Sequence, residues 1–122
     1  MKIDKTFKIK EKYFNAILRL EKPFELRHEK VELNSIIKLE CENGRYLIFR
    51  SGDYAKYDNC HNTFEFKNYF YKVSYCHLTK YYGDIYDYEW DNSYDWFDEF
   101  CWEYINKAPT YLIEIAEILE VK

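Results

Sequence analysis

Glycine and proline are scarce in this 122-residue chain, with three of one and two of the other. That excludes collagen-like, linker-like and low-complexity classes. No run of about 18 apolar residues occurs, so no membrane-spanning helix is expected. Met1-Lys2-Ile3-Asp4-Lys5 opens without the apolar stretch of a secretory signal. The expectation is a cytoplasmic chain with no membrane partner. Cysteine is present at 41, 60, 76 and 101, but no CxxC pair is. Free thiols are expected rather than a disulfide framework. Cys60-His61 and Cys76-His77 each join two metal-ligating types. Neighbours on a strand point to opposite faces, so at most one of each pair can converge on an ion. No metal and no cofactor is expected.

What remains is aromatic and charged. Hydrophobic residues make up 48% and charged residues 33%, which suits one globular domain spanning 1–122. Aromatics reach 21%, with 14 Tyr among them. The formal net charge of −4 hides a split. Residues 1–80 carry 16 Lys+Arg against 11 Asp+Glu, and residues 81–122 carry 2 against 11. Such a chain can offer a basic face to phosphate and an acidic face to something cationic.

Periodicity gives the element order. Thr6–Lys10 alternates as a strand, and residues 11–20 carry a helical apolar stripe that must stop before Pro23. Phe24-Glu25-Leu26-Arg27 alternates again. Ile36–Cys41 and Arg45–Arg50 read as a hairpin about Asn43-Gly44. Ser51–Asn62, polar and holding a glycine, reads as loop. Phe64–Leu78 is strand-rich, with a change of parity near Lys67-Asn68 that a bulge or turn explains. A helix is expected around Phe97–Ile105, capped by Asn92 or Ser93. Thr110–Val121, rich in Ile, reads as a last strand. The fold class is α+β: a small, mostly antiparallel barrel or half-barrel with an N-terminal helix. An acidic, aromatic helix precedes the last strand.

Residues 7–40 resemble a known family. Tyr13-Phe14-Asn15-Ala16-Ile17-Leu18, then Lys22-Pro23-Phe24-Glu25-Leu26-Arg27, then Asn34–Glu40 follow the ASCH domains of the PUA-like superfamily. The likeness is greatest to the phage and bacterial branch known as DUF3850, with its "YFxAVxxGxKxFExRxxD" stretch followed by "vGDxLxLxE". Leu20 stands where that pattern has glycine, and Asn34-Ser35 where it has Gly-Asp. The resemblance covers about residues 5–50 and extends to Phe70–Cys76. It leaves 81–108 as an insertion. It implies a PUA-like β-barrel with a helix across one mouth, and a cleft lined by Lys-x-x-Glu-x-Arg that holds RNA or a modified nucleotide. Some ASCH proteins hydrolyse N4-acylated cytidine with a Lys and a Thr three residues later. Here Glu25 takes the place of that Thr, so a small amidohydrolase is the second alternative and catalytic residues are not assigned.

The residues themselves suit a nucleotide pocket. Arg27 offers a rigid fork for phosphate or a base edge. Lys22 adds a mobile cation, and Glu25 can accept from an exocyclic amine. Tyr13 or Phe14 can stack on a base. The plainer reading is an ion pair of Glu25 and Arg27 on a solvated strand face.

Residues 81–104 hold 11 aromatics, eight acids and no Lys or Arg. Asp95, Asp98 and Glu99 can imitate phosphates in a basic groove, and Tyr86, Tyr88 and Trp90 have no evident core to enter. The first alternative is therefore a phage-type inhibitor of a host nuclease or defence protein. Trp96, Phe97, Phe100 and Tyr104 are expected to pack inward.

Overall fold

The computed structural model describes the backbone of residues 1–122 and every side chain except those of 87, 88, 90, 91 and 92. Tyr88 and Trp90, expected to be exposed anchors, thus lie outside the described residues. The chain is α+β and mostly antiparallel. Its elements are β1 (Lys5–Lys8), α1 (Glu11–Leu18), β2 (Phe24–Arg27), β3 (Ile36–Glu40), β4 (Tyr46–Asp58) and β5 (Thr63–Glu65). They continue as β6 (Tyr69–Ser74), β7 (His77–Asp84), β8 (Asp87–Ser93), α2 (Glu99–Ile105) and β9 (Tyr111–Val121). They form two compact units. Unit 1 comprises Met1–Glu25, Val31–Tyr54 and Ile113–Lys122; unit 2 comprises Leu26–Lys30 and Ala55–Leu112. Among the described residues no helix is long and apolar enough to cross a membrane.

In unit 1, β1 runs parallel to β3, β3 pairs antiparallel with β4, β4 with β9, and β9 with β2. Tyr46 and Lys122 exchange both backbone hydrogen bonds, and the Ile115 amide donates to the Pro23 carbonyl at 2.9 Å. The expected barrel is not closed. Among the described residues β1 pairs only with β3 and β2 only with β9. Closure needs an unbroken ring of ladders, and two four-residue edge strands leave it open. Helix α1 supplies Tyr13, Phe14, Ala16 and Ile17 to the core, which also holds Ile37, Leu39, Leu47, Phe49 and Ile113.

The β3–β4 turn differs in detail from a two-residue Asn-Gly turn. The Gly44 amide donates to the Cys41 carbonyl and the Cys41 amide to the Arg45 carbonyl, with Gly44 at φ 89°. That is the longer loop in which glycine takes the left-handed position. The expected loop at 51–62 is mostly strand, since β4 runs on to Asp58. Ser51 belongs there because its buried hydroxyl donates to the Glu32 carbonyl and accepts from the Ser35 amide. Gly52 belongs there because a Cβ would lie 3.1 Å from that of Glu114 on β9.

In unit 2, β4, β5, β6, β7 and β8 follow one another antiparallel. The parity change at Lys67-Asn68 is the β5–β6 turn, where the Phe66 amide donates to the Tyr69 carbonyl. Phe64, Phe70, Val73, Leu78, Phe97 and Ile105 are buried. The acidic, aromatic block divides into the β7–β8 hairpin and a seven-residue helix. Asp98 caps that helix, not Asn92 or Ser93, because the chain stays in the sheet until Ser93.

Candidate functional site

The turn from α1 into β2 sets Lys22. The Leu20 amide donates to the Ile17 carbonyl and the Glu21 amide to the Ala16 carbonyl, with Leu20 at φ 62°. This is a Schellman ending with leucine in the position that favours glycine. The reversal sends Lys22 inward. Its ammonium donates to the Phe24 carbonyl at 2.8 Å and pairs with the Glu25 carboxylate. It lies 5.9 Å from the Tyr13 ring centroid. Lys22 and Glu25 are each only 3% exposed.

Lys22, Glu25 and Tyr13 therefore come together, but as core rather than as a ligand cleft. Phe14 is wholly buried, and the Arg45 guanidinium carbon stands 5.0 Å from its ring centroid. Tyr13 and Phe14, expected to stack on a base, are both buried in the core of unit 1. The solvated strand face expected for Glu25 is corrected, since its carboxylate is buried and pairs with Lys22. Residues 24–26 of β2 are buried on both faces, so alternation there does not separate a wet side from a dry one. The half-buried Arg27 belongs to unit 2. A largely apolar hollow of about 300 Å³ adjoins Lys22 between Ile17, Pro23, Ile115 and Ile118. The Lys22 ammonium is held by Glu25 and a carbonyl, which leaves the amidohydrolase reading without an accessible lysine.

Helix α2 organises a different surface. Cys101 and Ile105 are its buried side. The Asp98 carboxylate accepts from the Cys101 amide at 3.2 Å, so this acid is a helix cap. Glu99 and Glu103, four apart, are exposed on the outer side. On one flank the Trp102 ring meets Tyr75 edge-on at 5.7 Å. On the other flank Phe100 and Tyr104 lie 6.2 Å apart, and the His28 ring stacks on Tyr104 at 3.8 Å and 9°. His28 is held there, since its backbone amide donates to the Tyr104 hydroxyl and its Nε2 meets the Tyr104 carbonyl at 2.7 Å. Tyr75 is 61% exposed and Phe100 41%. The negative charge of Glu99, then Cys76 and Glu103, raises the Tyr75 phenol above its usual value. Trp96 and Phe97 are buried as expected, whereas Phe100 is not. Asp95 is exposed, and so is Tyr86 at the β7–β8 turn, where its amide donates to Asp84. Sequence reading passed over Tyr75 and Trp102. The helical spacing of Glu99, Trp102 and Glu103 beside the buried Cys101 and Ile105 is a signal for Trp102, whereas none marks Tyr75, which comes from the β6–β7 turn.

Unit 2 also contains a groove of about 750 Å³ between the β4–β5 turn and the α2–β9 loop, lined by Lys56, Asp58, Asn62, Asn106 and Lys107 among others. Close to it, the ligand atoms of Asp58, His61 and Glu65 lie within 4.8 Å of one another. Among the described residues these are the ones with the spacing to hold a cation. The Asp58 carboxylate meets His61 Nδ1 at 2.7 Å, which raises the imidazole and lowers the carboxyl. All four cysteines are free thiols, with Cys60 exposed.

No protein family, no curated protein and no solved structure matches the chain.

Proposed function

We propose that the chain acts by docking on a basic protein surface through the outer side of α2 and Tyr75. The observation that carries this reading is one patch in unit 2. Tyr75, Phe100 and Trp102 flank Glu99 and Glu103 there, and residues 81–104, which supply all of these but Tyr75, hold no Lys or Arg. Aromatic anchors supply the apolar centre of a protein interface, and carboxylates select a cationic partner and speed encounter. Basic grooves that normally hold nucleic acid have this complementary character. The specific form proposed is an inhibitor that occupies such a groove on a nuclease or defence factor.

The test is a photo-crosslinking residue placed at Phe100 in the cells that make the protein. One protein with a basic groove is the expected product. Its affinity for the purified chain should fall about tenfold or more in Glu99→Gln/Glu103→Gln/Trp102→Ala, and should weaken with salt. A triple variant that binds as tightly as the wild type refutes the reading.

A second reading, an ASCH-type module that binds RNA or a nucleotide, is supported by a separate observation. Both positions at which that pattern has glycine are left-handed in this chain, Leu20 at φ 62° and Asn34 at φ 64°. The strained backbone stands where the resemblance puts the residue that relieves strain. On this reading Arg27 is the cation to change. Recovery of RNA from the Phe100 crosslink, lost in Arg27→Ala, would favour it over protein docking.

A further inference from the structure

Strands β6 and β7 build a box of tyrosines around an ammonium. In their register Tyr69 faces Tyr82 and Tyr71 faces Lys80, so all four side chains share one face of the sheet. Tyr71, buried, is the floor. The Tyr69 ring stands at 89° to it with centroids 5.7 Å apart, and Tyr82 forms the opposite wall 6.5 Å from Tyr69. Phe66 braces the assembly, stacked on Tyr69 at 4.8 Å and edge-on to Tyr71 at 5.9 Å. The Lys80 ammonium sits inside, 4.6 Å from the Tyr69 centroid, 4.8 Å from Tyr82 and 5.9 Å from Tyr71. Among the described residues Lys80 has no carboxylate partner. Its charge is met by ring faces. The rim is open to solvent, since Tyr82 is 49% exposed.

We propose that this box is a recognition site for a methylated ammonium group, held shut by Lys80 as an internal plug. The Lys80 ammonium itself states the chemistry: a compact cation with ring faces on three sides. A primary ammonium loses strong hydration when it enters such a box, and Lys80 tolerates the loss because its own strand tethers it at high effective concentration. A free ligand must compete without a tether. A methylated ammonium suits that role, because it carries fewer or no N–H donors to strip of water and spreads its charge over methyl groups that pack on the rings. A methylated lysine of a partner chain and a free quaternary amine present the same group. The site does not rest on docking through α2.

The experiment is a titration with tetramethylammonium chloride, with sodium chloride at equal ionic strength as control, read by NMR of the tyrosine rings. In Lys80→Ala the Tyr69 and Tyr82 resonances should shift saturably. The wild type should bind about tenfold or more weakly. Adding Tyr82→Ala to Lys80→Ala should lower affinity roughly fivefold. Lys80→Gln, which keeps the stem and removes the charge, serves if Lys80→Ala does not fold. A folded, unplugged variant without saturable shifts overturns the site. Equal affinity of wild type and unplugged variant overturns the plug. A trimethyl-lysine peptide in parallel tells a protein source from a free amine.

Discussion

Leu20→Gly should make the protein more stable, although it removes a large apolar side chain. Leu20 closes the helix ending at φ 62°, and an L-residue in that region is held about 1–2 kcal/mol above its favoured conformations. Its side chain is 82% exposed, so truncation forfeits little burial. Against the relief stands the larger backbone entropy of glycine in the unfolded chain, about 0.5–1 kcal/mol. The difference is a gain of about 0.5–1 kcal/mol, or roughly 2–4 °C in Tm for a domain of this size. Urea denaturation followed by circular dichroism measures it. Leu20→Ala is the control, because it removes the side chain and leaves the strain. If glycine proves no more stabilising than alanine, the left-handed strain assigned to this turn is refuted, and one support of the ASCH-type reading goes with it.

Lys22→Met should destabilise by about 3–5 kcal/mol, because it strands a buried Glu25 carboxylate; Lys22→Met/Glu25→Leu should recover most of that in the same melts. Asp98→Ala should cost about 1 kcal/mol through loss of the α2 cap, and Asp98→Asn much less. In an NMR pH titration His61 should protonate above the ordinary 6.5, and Asp58→Asn should return it there. The folded-state pKa of His61 is raised, so its stabilising pairing is complete below 6.5 and is lost as pH rises through the raised value. Asp58 is lowered from 3.8, so its own contribution is present above that value and is lost as pH falls through the depressed one.

The elements with strong periodicity were legible. The stripe at Tyr13, Phe14 and Ile17 places α1, the alternation of residues 24–27 places β2, and the Ile-rich end places β9. The second half of β4 was hidden because its inward residues include Ser51 and Ala55, and because Gly52-Asp53 reads as a turn when the neighbouring strand is unknown. The choice between a closed barrel and a half-barrel was not legible, since periodicity gives the faces of β1 and β2 but not how many partners each has. At the site, Lys22 and Glu25 are three residues apart across a break between helix and strand. Neither a helical nor a strand period relates them, and their burial depends on a reversal made by a leucine where glycine is usual. The exposed flanks of α2 escaped because Phe100 keeps helical register with the buried Phe97 and Cys101, so spacing alone groups it with the core. The tyrosine box depends on which residue of β7 faces which of β6, and composition does not contain that pairing.

Among the described residues four bends keep a side chain on left-handed backbone: Leu20, Asn34, Asn62 and Cys76. They amount to unused headroom. A chain hardened at the first of them can tolerate harsh edits elsewhere, so that altering Trp102 or Glu99 reports on grip rather than on collapse. The same corner that reads as a flaw in the backbone is thus the practical starting point for mapping what the molecule holds.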